Sequence, residues 1–261
     1  MYTAPYAALA PRYDELVGRR FFSGLRPAFE ELVRRYGLRF GSAVDLGCGT
    51  GLFACWLARR YGIPMIGVDR SPAMLQAAIA NCRDCRVGFL LQDIRDLRLP
   101  CRVELATANF DTLNHVLTEC DFQRVLARVF ASLEPGGHFV FDLLTHRHDP
   151  GGRWIGVRSS DKRSTRLLQR TIWSEGSALL FTRVTVLERG AAPRLEDHVE
   201  RGYDPVRVAR WLEAAGYEIR GLLDAPTLAY AHRRSARVIF VTRRPYRSTR
   251  LSRWMSSGSS T

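Results

Sequence analysis

Ala43-Val44-Asp45-Leu46-Gly47-Cys48-Gly49-Thr50-Gly51 opens as a short apolar run, breaks into alternate glycines and is followed by an apolar helix pattern. The run is too short for a helix and suits a buried strand. Its glycines let the backbone turn sharply and let a ligand come close without meeting a Cβ. Leu52 to Tyr61 has helical spacing, with Phe53, Trp56 and Leu57 on one side. Such a helix points its free N–H groups and its positive end at whatever lies over the glycines. Met65-Ile66-Gly67-Val68 reads as a second buried strand and ends in Asp69, where an acid suits two hydrogen bonds to a ribose diol. A nucleotide-like ligand beyond the strand ends is the expectation.

The alternation extends outward from that unit. Residues 6–37 read as helical, and Leu25, Phe29, Leu32 and Val33 share a face between Gly24 and Tyr36. Ser71-Pro72 opens a helix as N-cap and first helical residue, and the helix runs to about Asn81. Strands follow at Val87–Leu91 and Glu104–Ala108. An amphipathic helix over Asp121–Leu133 stops at Pro135-Gly136-Gly137, before a fifth strand at His138–Asp142. Strands alternating with helices predict a doubly wound α/β fold with a mainly parallel sheet. From 149 to 203 the pattern changes to antiparallel strands, Thr165–Trp173, Ala178–Glu188 and Arg194–Glu200. A helix over Pro205–Ala215, capped by Asp204 and stopped by Gly216, precedes strands Tyr217–Leu223 and Arg237–Arg243, which bring the main sheet to seven. The expected layout is a helical lid over 1–37 and a ligand-binding core over 38–148 and 204–244. An antiparallel cap over 149–203 and a basic, disordered tail over 245–261 complete it.

Composition narrows the function classes. Hydrophobic residues make up 46% of the 261, ample for a sizeable core. No uncharged apolar run reaches the length of a membrane-spanning helix, and the first residues lack the pattern of a secretory signal, so a cytoplasmic protein is expected. Its six cysteines should then remain reduced thiols, without disulfides. Cys82 and Cys85 form a lone C-x-x-C with no second pair at metal-binding spacing, so no metal is expected. The formal charge of +13 is uneven: eight arginines follow residue 232, where no acid occurs. Residues 1–232 hold 31 basic against 26 acidic residues, and the only lysine in the chain is Lys162. The charge belongs mainly to the end of the chain.

The glycine spacing separates two cofactor classes. A dinucleotide fingerprint, G-x-G-x-x-G/A, would need glycine or alanine at 52, where Leu52 stands. The acid two residues before Gly47 is also foreign to it. Val44–Gly51 instead resembles the D-x-G-x-G-x-G motif of the class I S-adenosylmethionine (SAM)-dependent methyltransferases. Gly67–Leu75 resembles their second motif, in which the acid holds the ribose and the methionine packs on adenine. Gln92-Asp93-Ile94 resembles the segment whose aspartate accepts from the adenine amino group, and Leu133–Phe139 is similar to the L-x-P-G-G turn before strand five. The resemblance covers about residues 40–145.

A narrower likeness is to small-molecule N-methyltransferases of the glycine and amino-sugar type. Tyr6–Asp14 is similar to their Y-x-x-L-A-x-x-Y-D segment, which folds over the cofactor, and Asn109–His115 to the segment lining the methyl-transfer cleft. Their substrate cap is an antiparallel insertion after strand five. The resemblance implies SAM as cofactor, with Tyr13, Asp45, Gly47, Cys48, Gly49, Asp69, Arg70, Met74, Asp93, Ile94, Asn109 and Asn114 as its binding residues. His115, His198 and Tyr203 are the candidate catalytic groups, with His146 near the cleft. Arg166, Arg170 and Arg183 would be either a solvated face or a cationic lid.

The expected activity is methyl transfer to nitrogen or oxygen of a small molecule in a biosynthetic pathway, by a monomer or homodimer without membrane contact. An RNA methyltransferase using the basic tail is one alternative. Against it, Asn109-Phe110-Asp111-Thr112 replaces the Asn/Asp-Pro-Pro-Tyr/Phe of base N-methylation enzymes, and Pro100-Cys101 precedes the strand it would have to follow. Nucleic acid is therefore not the expected partner. A non-catalytic SAM-binding regulator is the other alternative.

Overall fold

The computed structural model describes residues 1, 3–147, 153–159 and 165–246, the segment 153–159 by its backbone alone. β1 (Ala43–Leu46) is buried throughout and lies between β2 (Met65–Asp69) and β4 (Val103–Ala108), parallel to both. β3 (Val87–Leu91) extends the β2 side. β5 (Leu133–Leu144), β11 (Arg237–Arg243) and β10 (Glu218–Asp224) extend the other, giving the order β3-β2-β1-β4-β5-β11-β10. β11 runs antiparallel to both its neighbours, and the remaining pairings are parallel. Strand order reverses between β1 and β4, which opens a crevice at their carboxyl ends.

Alternation along β1 feeds two layers. Ala43 joins Phe29 and Leu32 of α1 (Arg19–Tyr36) and Phe53 and Leu57 of α2 (Leu52–Tyr61). Val44 and Leu46 join Phe122 and Val125 of α4 (Glu119–Ser132) and Val208 and Leu212 of α5 (Pro205–Ala215). Ser71 caps α3 (Pro72–Asn81) by accepting from Met74 N–H at 3.4 Å, and Asp204 caps α5 by accepting from Val206 N–H at 3.0 Å.

The antiparallel insertion is a separate sheet, β6 (Arg153–Ser159), β7 (Thr165–Ser174), β8 (Leu179–Glu188) and β9 (Arg194–Arg201), ordered as in sequence. β6 was not foreseen. The N-terminal segment docks on this sheet: Thr3 N–H donates to Leu195 C=O and Leu195 N–H to Met1 C=O, each at 2.9 Å. Ala8, Leu9 and Leu16 pack on Leu167, Val184 and Val186.

Three expectations need correction. The helix expected from residue 6 is broken into a tight turn at Ala10–Arg12 and a wide turn at Asp14–Gly18 before α1 begins. Tyr6 takes a left-handed φ of 64°, and Pro11 has no N–H to donate. Pro135-Gly136-Gly137 is not a turn before strand five but an irregularity inside it. Val103 pairs with Leu133 and Leu105 with His138, and Gly136 N–H donates to Arg244 C=O at 2.7 Å. The cysteines are not all free: α2 packs beside the end of α3, and Cys55 is bonded to Cys85, with the Cys82 sulfur within 4.8 Å of both. No described helix is long and apolar enough to cross a membrane. Of the basic tail, residues 247–261 lie outside the described residues.

Candidate active site

The loop after β1 builds the floor of a cavity at the strand ends. Gly47 (φ 64°), Gly49 (φ 54°) and Gly51 (φ 76°) all take the left-handed conformation. At Gly47 an added Cβ would also lie 2.3 Å from Thr112 Oγ1, whereas at Gly49 it would meet no protein atom within 4 Å. Gly47→Ala should therefore cost about 2–4 kcal/mol, combining backbone strain with overpacking, and Gly49→Ala only the backbone share of about 1–2 kcal/mol. Urea denaturation of the two variants checks this; equal losses would remove the Thr112 contact from the account.

Two acids flank the loop. Asp69 at the end of β2 accepts from Gly49 N–H at 2.9 Å and from Ser71 N–H at 2.8 Å. Asp45 at the end of β1 is buried and accepts from Thr107 Oγ1–H at 2.7 Å and Asn109 Nδ2–H at 3.4 Å. Burial, opposed by those two hydrogen bonds, pushes its carboxyl up to about 7. Asp93 caps its own turn by accepting from Arg95 N–H at 2.9 Å, and both its oxygens meet the Arg95 guanidinium. That contact holds its carboxyl below the ordinary range.

Every cofactor residue expected from the sequence lines this cavity except Asn114. Asn114 is fully buried elsewhere: its Nδ2 donates to Leu144 and Arg201 carbonyls at 3.0 and 2.6 Å, and its Oδ1 accepts from Leu144 N–H at 3.0 Å. It joins β5 to β9. Tyr203 is likewise away from the cavities, packed on Phe122 and Trp211 with its hydroxyl donated to Val116 C=O. His146 lines neither cavity.

A second cavity, about 760 Å³, adjoins the first and lies between the N-terminal segment, the cap sheet and the ends of β5 and β11. Tyr6, Tyr13 and Phe110 border both and form the partition. His115 stands on the first side, with Nδ1–H donated to Val199 C=O at 3.3 Å. That leaves Nε2 to accept the Tyr6 hydroxyl at 3.0 Å. Burial, then the Arg70 charge, lowers His115 to about 4, so it is neutral at physiological pH. His198 lines the second cavity and is 6% exposed; its Nε2 lies 3.3 Å from Glu196 Oε2, without hydrogen-bond geometry, and Nδ1 has no hydrogen-bond partner among the described residues.

The second cavity also holds groups that sequence reasoning missed. Arg237 binds Asp142 through Nη1 and Asp111 through Nη2 at 2.9 Å, and Glu200 lies beside them. Asp142 follows the apolar run Phe139-Val140-Phe141 near the end of β5, much as Asp45 follows Ala43-Val44 in β1, a signal that could have flagged it. Arg237 and Glu200 sit in no local motif.

The N-terminal segment is fastened from two sides. Asp14 accepts from the Thr50 hydroxyl and from Asn81 Nδ2–H at 2.9 Å. Glu196, fully buried on β9, accepts from Tyr6 and Leu9 N–H groups, each at 2.5 Å. Glu196→Gln would turn an amide N–H₂ toward one of these donors and loosen the segment by about 1–3 kcal/mol. Limited proteolysis should then cut within residues 1–18 at least about tenfold faster; a wild-type rate would contradict the fastening role.

Known proteins share this architecture. A family described as a methyltransferase domain matches residues 43–137. The dTDP-3-amino-3,6-dideoxy-alpha-D-glucopyranose N,N-dimethyltransferase of Streptomyces fradiae is 32% identical over 200 residues, covering 75% of this chain and 77% of that enzyme. A SAM-dependent methyltransferase from Clostridium acetobutylicum superposes with a TM-score of 0.76 at 20% identity, over 92% of this chain and 99% of its own. Streptomyces venezuelae DesVI gives 0.72 at 21% identity, over 92% and 99%. Together with the strand order and the glycine loop, these relations make the chain a member of the class I SAM-dependent methyltransferases.

Proposed function

We propose that this enzyme methylates an amine nitrogen of a small acceptor with an apolar body, and that it does so in the cytoplasm. One observation carries the reading. Among the described residues, the cavity beyond Tyr6, Tyr13 and Phe110 presents three acidic side chains, Asp111, Asp142 and Glu200, against the cation Arg237. An ammonium group would favour the ionised form of these acids and pair with it, whereas a neutral hydroxyl would gain little from them. Leu9, Val17, Phe21, Leu25, Leu180 and Val184 offer apolar wall for the rest of the molecule. The substrate for which the Streptomyces fradiae relative is named is itself an amine.

The first cavity fits the cofactor. The space over Gly49 is open, and each Asp69 oxygen retains a lone pair beyond the backbone N–H it holds. In this reading Asp69 holds the ribose, while Met74 and Ile94 border the adenine. When bound, the cofactor supplies an electrophilic sulfonium methyl group. Alignment is the main task left to the protein. Tyr6, fixed by His115 and by Glu196, and Tyr13, beside it at 6.2 Å between ring centroids, frame the passage between donor and acceptor.

The test is a screen of S-adenosylhomocysteine formation with matched pairs of small amines and hydroxyl compounds, dTDP-3-amino-3,6-dideoxyglucose among them. Turnover confined to amines supports the reading. Turnover confined to hydroxyl partners, or to RNA, overturns it.

A further inference from the structure

One carboxyl group of the acceptor cavity makes no hydrogen bond among the described residues. Glu200 on β9 keeps 15% of its side-chain surface, and its ion-pairing contact among the described residues is His115 Nε2 at 3.7 Å. That distance exceeds a hydrogen bond, and the Nε2 lone pair is already taken by the Tyr6 hydroxyl. His115 therefore has no proton to give Glu200. Tyr6 and Tyr13 face Glu200 from the N-terminal segment, Asp111 and His115 from the turn after β4, Asp142 from β5 and Arg237 from β11. His198 precedes it by two residues on its own strand. Arg237 is already engaged by Asp111 and Asp142.

We propose that Glu200 is the catalytic base, removing a proton from the acceptor ammonium at the mouth of the donor cavity; this rests on the amine reading above. An N–H bond of the ammonium breaks and the proton passes to a Glu200 oxygen, which leaves the lone pair on nitrogen. Nitrogen then bonds the methyl carbon as the carbon–sulfur bond breaks, its electron pair remaining on sulfur. The proton later leaves Glu200 to solvent. Burial, and next the Asp111 charge, push the Glu200 carboxyl up to about 8, toward the range of an alkyl amine, where proton exchange is most effective. Placement matters as much. Glu200 lies on the acceptor side of the Tyr6–Tyr13–Phe110 partition, and it contacts His115 on the donor side.

The experiment compares wild type with Glu200→Gln, from about pH 6 to about pH 10, on the amines of the screening panel. Wild-type kcat/KM should rise through the Glu200 titration near 8 and then level off, because the free amine that prevails at higher pH needs no base. E200Q should lose about 10²–10⁴-fold at neutral pH and climb with the free-amine fraction without falling. Its SAM affinity by calorimetry should stay within about threefold, since Glu200 does not line the donor cavity. A variant that retains the wild-type rate at neutral pH, or a profile of wild-type shape merely scaled down, overturns the assignment. A wild type that methylates only hydroxyl compounds rejects the amine reading itself, whereas amine turnover unaffected by E200Q rejects Glu200 alone. One measurement needs no acceptor: ¹³C-carboxyl NMR should show a glutamate titrating above about pH 7 that disappears in E200Q. A Glu200 signal titrating in the ordinary carboxylate range counts against it.

Discussion

Arg237→Met is expected to destabilise the fold by about 3 kcal/mol near neutral pH, and by clearly less near pH 5. Its guanidinium holds Asp142 through Nη1 and Asp111 through both terminal nitrogens, and the three side chains keep 30, 14 and 23% of their surface. Removing the cation leaves two carboxylates facing one another across a small cavity. Burial already raises the Asp142 carboxyl, with Arg237 pulling it down; methionine removes that pull. A carboxyl raised in the fold stabilises the folded state fully below its unfolded value of about 3.9. That contribution is lost as pH rises through the folded value. The variant should thus approach wild type in acid and fall behind as pH increases. Urea denaturation at the two pH values reads the difference, and adding Asp142→Asn to Arg237→Met should recover most of it. Equal losses at both pH values would trace the effect to packing of the arginine stem rather than to charge.

That cluster also marks where sequence reasoning stopped. The donor half of the site was legible because one unit repeats along the chain, an apolar strand ending in an acid or glycine and followed by a helix. β1 with Asp45 and β2 with Asp69 announce themselves in this way, and strand ends in a parallel sheet necessarily share one edge. The acceptor half has no such local grammar. Asp111, Asp142, Glu200 and Arg237 come from four separate elements; Asp111 lies in the segment already read as cleft-lining and Asp142 follows an apolar run, but Glu200 and Arg237 alone resemble ordinary surface charges. Long-range register brings them together, such as the pairing of Arg237 with Leu144 across β11 and β5. Asn114 and Tyr203 misled for a related reason. Polar residues after strand ends suit a cleft, but here they satisfy backbone groups where the cap joins the core. The Cys55–Cys85 link depends on α2 lying beside the end of α3, which cysteine spacing could not reveal. β6 was missed because arginines and a glycine interrupt the apolar alternation of Arg153–Ser159.

Asp69→Ala should weaken SAM and S-adenosylhomocysteine binding by about 10²-fold or more. Two hydrogen bonds from ribose hydroxyls to an ionised acceptor are each worth about 1.5–3 kcal/mol, or about 10²–10⁴-fold together. The same carboxylate also fixes the backbone on either side of it. Its Oδ2 holds Gly49 N–H at 2.9 Å and its Oδ1 holds Ser71 N–H at 2.8 Å, one on the glycine loop and the other at the start of α3. Alanine releases both, so part of the loss would come from a loop free to leave its left-handed path. Asp69→Asn separates the two contributions. It retains one acceptor oxygen but turns an N–H₂ toward the other donor, and it should fall between wild type and alanine. Acid should mimic this in the wild type. Burial raises the Asp69 carboxyl despite the opposing backbone hydrogen bonds, so SAM affinity should decline as pH falls through that raised value. Calorimetry on the folded variants decides: an alanine variant that binds S-adenosylhomocysteine within about threefold of wild type would remove the ribose from Asp69. Stability should drop by only about 1–2 kcal/mol, because the Ser71 hydroxyl still caps α3.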